Sequence, residues 1–326
     1  MPLSPQLGPR EVMAQARVVV RKYQGPQHPF LKLQSVQKYS DDQLRDEAGR
    51  WTDLGGNSPV RLADMAPAAQ AGIAGWAMKN GVDMVGLTDA LYATLKDPAA
   101  RASGAVWYQQ EFQDKAQALA DKYGRSLDEV AAVIAITSAQ TPWSYENEAG
   151  ETVYRNLDVA ENFLAAAQRG EFDGATTLQE RIDAQDGLEY FRGKGFGEAV
   201  VGLLNGTLNV DEAVTGAKRR SFFDNAMDPV GSDEITNDTW MGAYLADNSA
   251  VTQEQVRSML SAGAPKYMGD VQMSPAYAVL SEGVMAATER AIAEGIVPPD
   301  QTNSQTQATA WVYADLYRPA GRGARV

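Results

Sequence analysis

Cysteine is absent from the 326-residue chain, and histidine occurs once, as His28. Without cysteine there is no disulfide, thiolate nucleophile, cysteine-ligated zinc or iron–sulfur cluster. A single histidine cannot build a His-rich metal site. It can join a Ser-His-Asp triad only if the amino end folds back onto the body. Basic residues are also few: 29 Lys and Arg stand against 42 Asp and Glu, a net charge of −13. That balance argues against a broad, non-specific grip on nucleic acid but leaves room for a local basic face. No apolar run approaches the ~20 residues that span a bilayer, so no membrane partner is expected. The opening residues, Met1-Pro-Leu-Ser-Pro-Gln-Leu-Gly-Pro-Arg10, lack the apolar core of a secretory signal, and no secretion is expected. Any chemistry falls to carboxylates, Lys, Arg, Tyr, Ser, Thr and backbone dipoles, and no cofactor is expected.

What is present reads as helix. At 44% hydrophobic residues the chain can bury a large core. Residues 1–65 are rich in Pro, Gln, Gly and Arg and read as a tail or linker, with one short helical stretch near Val12–Tyr23. Residues 66–104 read as a helical extension, 105–318 as the main helical domain and 319–326 as a second tail. Thr88 is placed to cap Asp89–Lys96. Trp107–Tyr123 carries a helical apolar stripe that Gly124 ends. Ser126-Leu-Asp-Glu129 is a capping box leading into the apolar stretch Val130–Ile136, read as a fully buried helix. Further helices are expected over Asn156–Arg169, Thr177–Phe191, a short turn capped by Asn209, Lys218–Met227, Thr239–Leu245 capped by Thr236 or Asn237, a segment opened by the Thr252–Gln255 capping box, a long helix from Ser274-Pro275 to Gly295, and Ser304–Tyr317. The fold class is all-α, with about ten helices and no alternating strand.

Four constellations stand out. In Ala213-Val-Thr-Gly-Ala-Lys-Arg-Arg-Ser-Phe-Phe223 a short helix ends at Gly216 and a basic helix begins, and an aspartate, Asp238, opens a later helix. Helix-start amides near Gly216 together with Lys218, Arg219 and Arg220 could hold an anion. In Ile134-Ala-Ile-Thr-Ser-Ala-Gln-Thr-Pro-Trp143 a buried helix runs into polar residues and an aromatic. Gln140 could hydrogen-bond a flat heterocycle and Trp143 could stack on it. In the last helix, Gln307 and Trp311 are four apart and share a face, with Trp311 read chiefly as core packing. The fourth is Arg45-Asp-Glu-Ala-Gly-Arg-Trp-Thr52, within the tail. Gly193-Lys-Gly-Phe-Gly197 lacks the Gly-Lys-Ser/Thr ending of a phosphate-binding loop, and the scattered Glu pairs lack di-iron spacing.

Gly216-Ala-Lys218 followed by Asn237-Asp-Thr-Trp240 resembles the helix-hairpin-helix DNA glycosylases, with Trp240 where that family has His. The resemblance covers residues 105–318. It implies that Asp238 is the catalytic carboxylate and Lys218 the Schiff-base lysine, with the Gly216 hairpin, Arg219 and Arg220 meeting a DNA phosphate. Uncharacterised phage proteins of glycosylase-like type are similar at Ser138…Trp143…Asn147, at Gly216-Ala-Lys218…Phe222…Asn225, at Asp238-Thr-Trp240 and at the terminal Gln307…Trp311 helix. Gln140, Trp143, Asn147 and Trp240 would then line a pocket for a flipped base. The Arg45–Thr52 run is similar to a linker of phage head-associated proteins, with Leu44 in place of its Pro. This implies DNA and phage head proteins as partners, and the host cytoplasm or the virion as location. Two other readings keep the fold: a transferase that places an amine on a hypermodified thymine, and a non-enzymatic virion or DNA-associated protein.

Overall fold

The computed structural model describes residues 61–65, 67–138, 145–146, 152–153, 155–172, 195–261 and 274–317. All of them belong to one unit, residues 57–326. The stretches expected over Val12–Tyr23, Arg45–Thr52 and Thr177–Phe191 lie outside the described residues, as do the flanking tails.

The fold is all-α. Among the described residues it has thirteen α-helices: α1 Pro67–Lys79, α2 Met84–Thr94, α3 Pro98–Ala105, α4 Asp114–Tyr123, α5 Leu127–Thr137, α6 Arg155–Gln168, α7 Gly195–Leu204, α8 Val210–Ala213, α9 Ala217–Met227, α10 Thr239–Asp247, α11 Gln253–Ser261, α12 Pro275–Ala293 and α13 Asn303–Tyr317. Tyr145–Glu146 (β1) and Thr152–Val153 (β2) form a two-residue antiparallel ladder, with Tyr145 opposite Val153.

The local signals explain most boundaries. Ser126 and Glu129 exchange the two bonds of a capping box at the start of α5. Asn209 and Glu212 do the same for α8, and Thr252 and Gln255 do so at α11. Gly124 ends α4 at φ +61°, in the left-handed region that glycine enters without a Cβ penalty.

Three boundaries differ from expectation. Helix α2 starts at Met84 because the Asp83 carboxylate takes the Val85 and Gly86 amides, which leaves Thr88 inside the helix. The cap of α10 is Asp238 itself. Thr236 and Asn237 cannot serve, because their side chains turn inward to Tyr108 and Asn225, and to Tyr277 and Ser281. Trp107–Gln113 is a π-helical turn rather than the first turns of one long α-helix.

The helices form two groups. In the first, α4, α6, α7, α8 and α9 surround α5. Every residue from Val130 to Thr137 on α5 is buried, and each Val or Ile removed from water contributes about 1.5–3 kcal/mol. In the second, α12 packs against α1, α2, α10, α11 and α13, with Leu87, Leu91, Met241, Leu280, Val284 and Ala310 in the shared core. Residues 66–104, set apart above as an extension, therefore share a core with the C-terminal helices. Helix α3 crosses α13 closely, since a Cβ on Gly104 would lie 2.5 Å from the Thr309 Cα. The π-helical segment touches α4 and α9 on one side and α3 and α13 on the other, so it bridges the two groups. The candidate site lies at this seam.

Candidate functional site

Helix α9 follows Gly216, whose φ of +86° and ψ of 142° turn the chain sharply out of α8. Among the described residues no side chain caps the start of α9. Lys218 is half-buried on its first turn and reaches across to α5, where Nζ donates to the Ser138 carbonyl at 2.9 Å. Ser138 is the C-cap of α5, the negative end of that helix's dipole. Asn156 closes the same end from α6: its Nδ2 donates to the Ile134 carbonyl, and its Oδ1 accepts from Thr137.

Asp238 opens α10 and attracts this ammonium electrostatically. Its Oδ1 accepts from the Trp240 amide at 2.9 Å, the Met241 amide at 3.1 Å and the Trp311 indole Nε1 at 3.0 Å. None of these three donors reaches Oδ2. Burial pushes the Asp238 carboxyl above the usual carboxylate range, against the attraction of Lys218 and the three hydrogen bonds. Burial also pulls the Lys218 ammonium below its ordinary value, while Asp238 pulls it back and Arg219 adds to the depression. Both groups are thus drawn toward their neutral forms by desolvation and toward their charged forms by each other.

Aromatic rings surround the pair. The Trp107 ring meets Trp311 edge-on at 5.2 Å and Tyr108 at 5.0 Å. Phe222, one helical turn past Lys218 on the same face of α9, packs edge-on to Phe112 at 4.7 Å. Behind these rings lies a buried polar network. The Tyr108 hydroxyl is 2.8 Å from Gln307 Oε1 and 3.1 Å from Thr236 Oγ1, and Asn225 Nδ2 donates to the Glu234 carbonyl at 3.1 Å. Among the described residues, Gln307 Nε2 and Asn237 Oδ1 are buried without a hydrogen-bond partner.

The structure joins Lys218 to Ser138 and Asp238 to Trp311, with Lys218 and Asp238 linked by electrostatic attraction. Gln140, Trp143 and Asn147 lie outside the described residues. Trp240 donates its amide to Asp238 Oδ1, and its ring is partly buried against the core of the second helix group.

The basic hairpin is narrower than its three cations suggest. Arg220 is paired with Asp211 at 2.6 Å and Asp224 at 3.1 Å. Arg219 instead donates to Thr215 Oγ1 and lies 4.7 Å above the Phe196 ring. Arg219 and Phe196 line an open depression of about 350 Å³ with Glu198, Leu208 and Glu212, which shares no residue with the Lys218–Asp238 site.

The sequence reading missed Trp107 and Tyr108. Their only signal was the aromatic pair opening the Trp107–Tyr123 stripe, which reads as ordinary core. Among the described residues no group of three or more His, Cys, Asp or Glu is placed to hold a metal ion, and no helix is long and apolar enough to cross a membrane.

Residues 82–189 match a protein family, DUF7178, described as a family of unknown function. The matched segment contains the π-helical turn and the Ser138 end of α5, while Gly216, Lys218, Asp238 and Trp311 lie beyond it. No curated protein and no solved structure matches the chain.

Proposed function

We propose that the protein is a DNA glycosylase-like enzyme of phage type, which takes an ordinary or modified base out of the duplex and cleaves its N-glycosidic bond. The observation that carries this reading is the placing of Lys218, bonded to Ser138, and Asp238, bonded to Trp311, at the seam between the helix groups, where the two desolvated groups attract each other. Breaking the bond from the sugar C1′ to the base nitrogen leaves positive charge on the sugar. The Asp238 carboxylate would stabilise that charge and accept a proton from the water that adds to C1′, while the base leaves with the bonding electron pair. A lysine with a depressed pKa is also a better amine nucleophile, so Lys218 could add to C1′ in place of water. The uncapped start of α9 and the Arg219 side chain support a narrow contact with one DNA phosphate.

The test is incubation with duplexes bearing a panel of modified pyrimidines and purines, with released base and abasic sites read by mass spectrometry. Release that Asp238→Asn abolishes, with DNA binding retained, is the expected result. No release from any duplex, or equal release by Asp238→Asn, overturns the reading.

A further inference from the structure

Asp238 could be held by its own helix alone. An N-cap aspartate needs only the amides of the next turn, and here the Trp240 and Met241 amides supply them. The third donor to Oδ1 is different in kind. Trp311 comes from α13, 73 residues away, and its Nε1 approaches to 3.0 Å. An indole N–H donates and cannot accept, so this contact favours the ionised carboxylate. The ring is itself braced: Trp107 meets it edge-on at 5.2 Å, Phe222 packs against it at 6.1 Å, and Tyr108 lies 6.1 Å away. With Oδ1 engaged three times, Oδ2 is the oxygen left to face a reacting centre. Trp311 also stays half-buried, which core packing alone does not require of the largest side chain on that helix.

We infer that Trp311 is a positioning residue for the Asp238 carboxylate: its indole N–H fixes Oδ1, sustains the ionised form in a desolvated site and presents Oδ2 outward. Trp107, from the π-helical turn, acts through Trp311 by holding its ring plane. Among the described residues, the titratable groups that interact electrostatically with Asp238 include Lys218 from α9, Tyr108 from the π-helical segment and Tyr277 from α12, and Glu234 acts in turn on Tyr277. Burial pushes both tyrosines up, so they stay protonated while a carboxylate titrates. The role in a reaction rests on the base-excision reading. The hydrogen bond and its hold on ionisation do not.

The experiment has two arms, both on the full chain. In the first, the indole N–H signals of its six tryptophans are followed by 15N–1H NMR across the carboxylate range, and Trp311→Phe identifies the Trp311 signal. That signal should move with one titration in the wild type and stay still in Asp238→Asn. A Trp311 signal indifferent both to pH and to Asp238→Asn overturns the inference. Asp238→Asn keeps the indole and the cap, so this outcome can be read even if Trp311→Phe folds poorly.

The second arm is base release by Trp311→Phe. Loss of a hydrogen bond to a charged group should lower kcat about tenfold with KM within about twofold. The acid limb of the pH profile should move to higher pH, because the ionised carboxylate has lost a donor. An unchanged kcat with an unmoved acid limb overturns the positioning role. If the wild type releases no base from any duplex while the indole still follows Asp238, the base-excision reading fails and the hold on ionisation stands.

Discussion

The Lys218 ammonium donates to the Ser138 carbonyl, 2.9 Å away and 80 residues earlier in the chain. This one contact ties the first turn of α9 to the last carbonyls of α5, the most deeply buried helix of its group. It gives Lys218 two reasons to stay charged, the helix dipole and Asp238, against the burial that favours the neutral amine.

The pair should therefore behave as a unit. Removing one partner leaves the other desolvated and uncompensated, so Lys218→Met should lower stability by about 2–4 kcal/mol at pH 7. Lys218→Met combined with Asp238→Asn should recover most of that loss, because asparagine still caps α10. Urea denaturation of the four proteins of the cycle measures the coupling, and additive effects would mean that the two groups do not interact.

The pH dependence of stability follows from the same pair. The folded carboxyl of Asp238 is raised, so the native state holds a proton that the unfolded state has released. Its contribution to stability is fully present below the unfolded value and is lost as pH rises through the raised folded value. Lys218 is depressed, so the unfolded state binds the extra proton. Its contribution grows as pH rises from the lowered folded value toward the unfolded one. Urea midpoints for the wild type and the double variant, taken across the carboxylate range, should differ in slope in the first of these directions.

At the α3–α13 crossing, Gly104→Val should cost about 3 kcal/mol, since the new Cβ would sit 2.5 Å from both the Cα and the backbone N of Thr309. Thr309→Ala removes the Oγ1 that the new Cβ would also strike, but it should not rescue the variant, because the clash with the Thr309 Cα and N remains. Thermal unfolding of the single and double variants decides this.

Tyr108→Phe removes the hydroxyl that serves Gln307 Oε1 and Thr236 Oγ1. It leaves the buried Gln307 amide with no described partner on either end, at a cost of about 1–3 kcal/mol. Adding Gln307→Leu to Tyr108→Phe should restore part of the loss. A further drop on adding it would show that Gln307 has another partner.

On duplex DNA, Arg219→Ala should reduce the slope of log affinity against log salt by about 1, the signature of one phosphate contact. Arg220→Ala should leave the slope nearly unchanged, because Asp211 and Asp224 already neutralise that guanidinium. Equal slopes for wild type and Arg219→Ala would place the phosphate elsewhere.

How much of this was readable in the chain depends on the range of each interaction. Ser126–Glu129, Asn209–Glu212, Ser274-Pro275 and Gly124 act within one turn, and each produced the expected helix start or stop. The cap of α10 falls to Asp238, which also reads as a capping carboxylate at a helix start, rather than to Thr236 or Asn237, because those two are recruited by Tyr108, Asn225, Tyr277 and Ser281. The helical stripe from Trp107 gave no sign that its first seven residues would wind as a π-turn. That turn spans α9 and α13, and the packing between them is not encoded in its own periodicity.

The sequence by itself determined that the protein is helical, where most helices begin and end, and that α5 is buried, because capping and apolar periodicity act over a few residues. It also placed Lys218 and Asp238 near helix starts. Tertiary packing sets the rest: Lys218 is bonded to Ser138 and Asp238 to Trp311, the two attract each other, and Arg220 is neutralised while Arg219 is left to Thr215 and Phe196. Arg219–Thr215 and Arg220–Asp224 are four residues apart, but the contacts to Ser138 and Trp311 depend on which helix faces meet across 80 and 73 residues. Contacts at that range are set by the packing of the whole core, which no local pattern specifies.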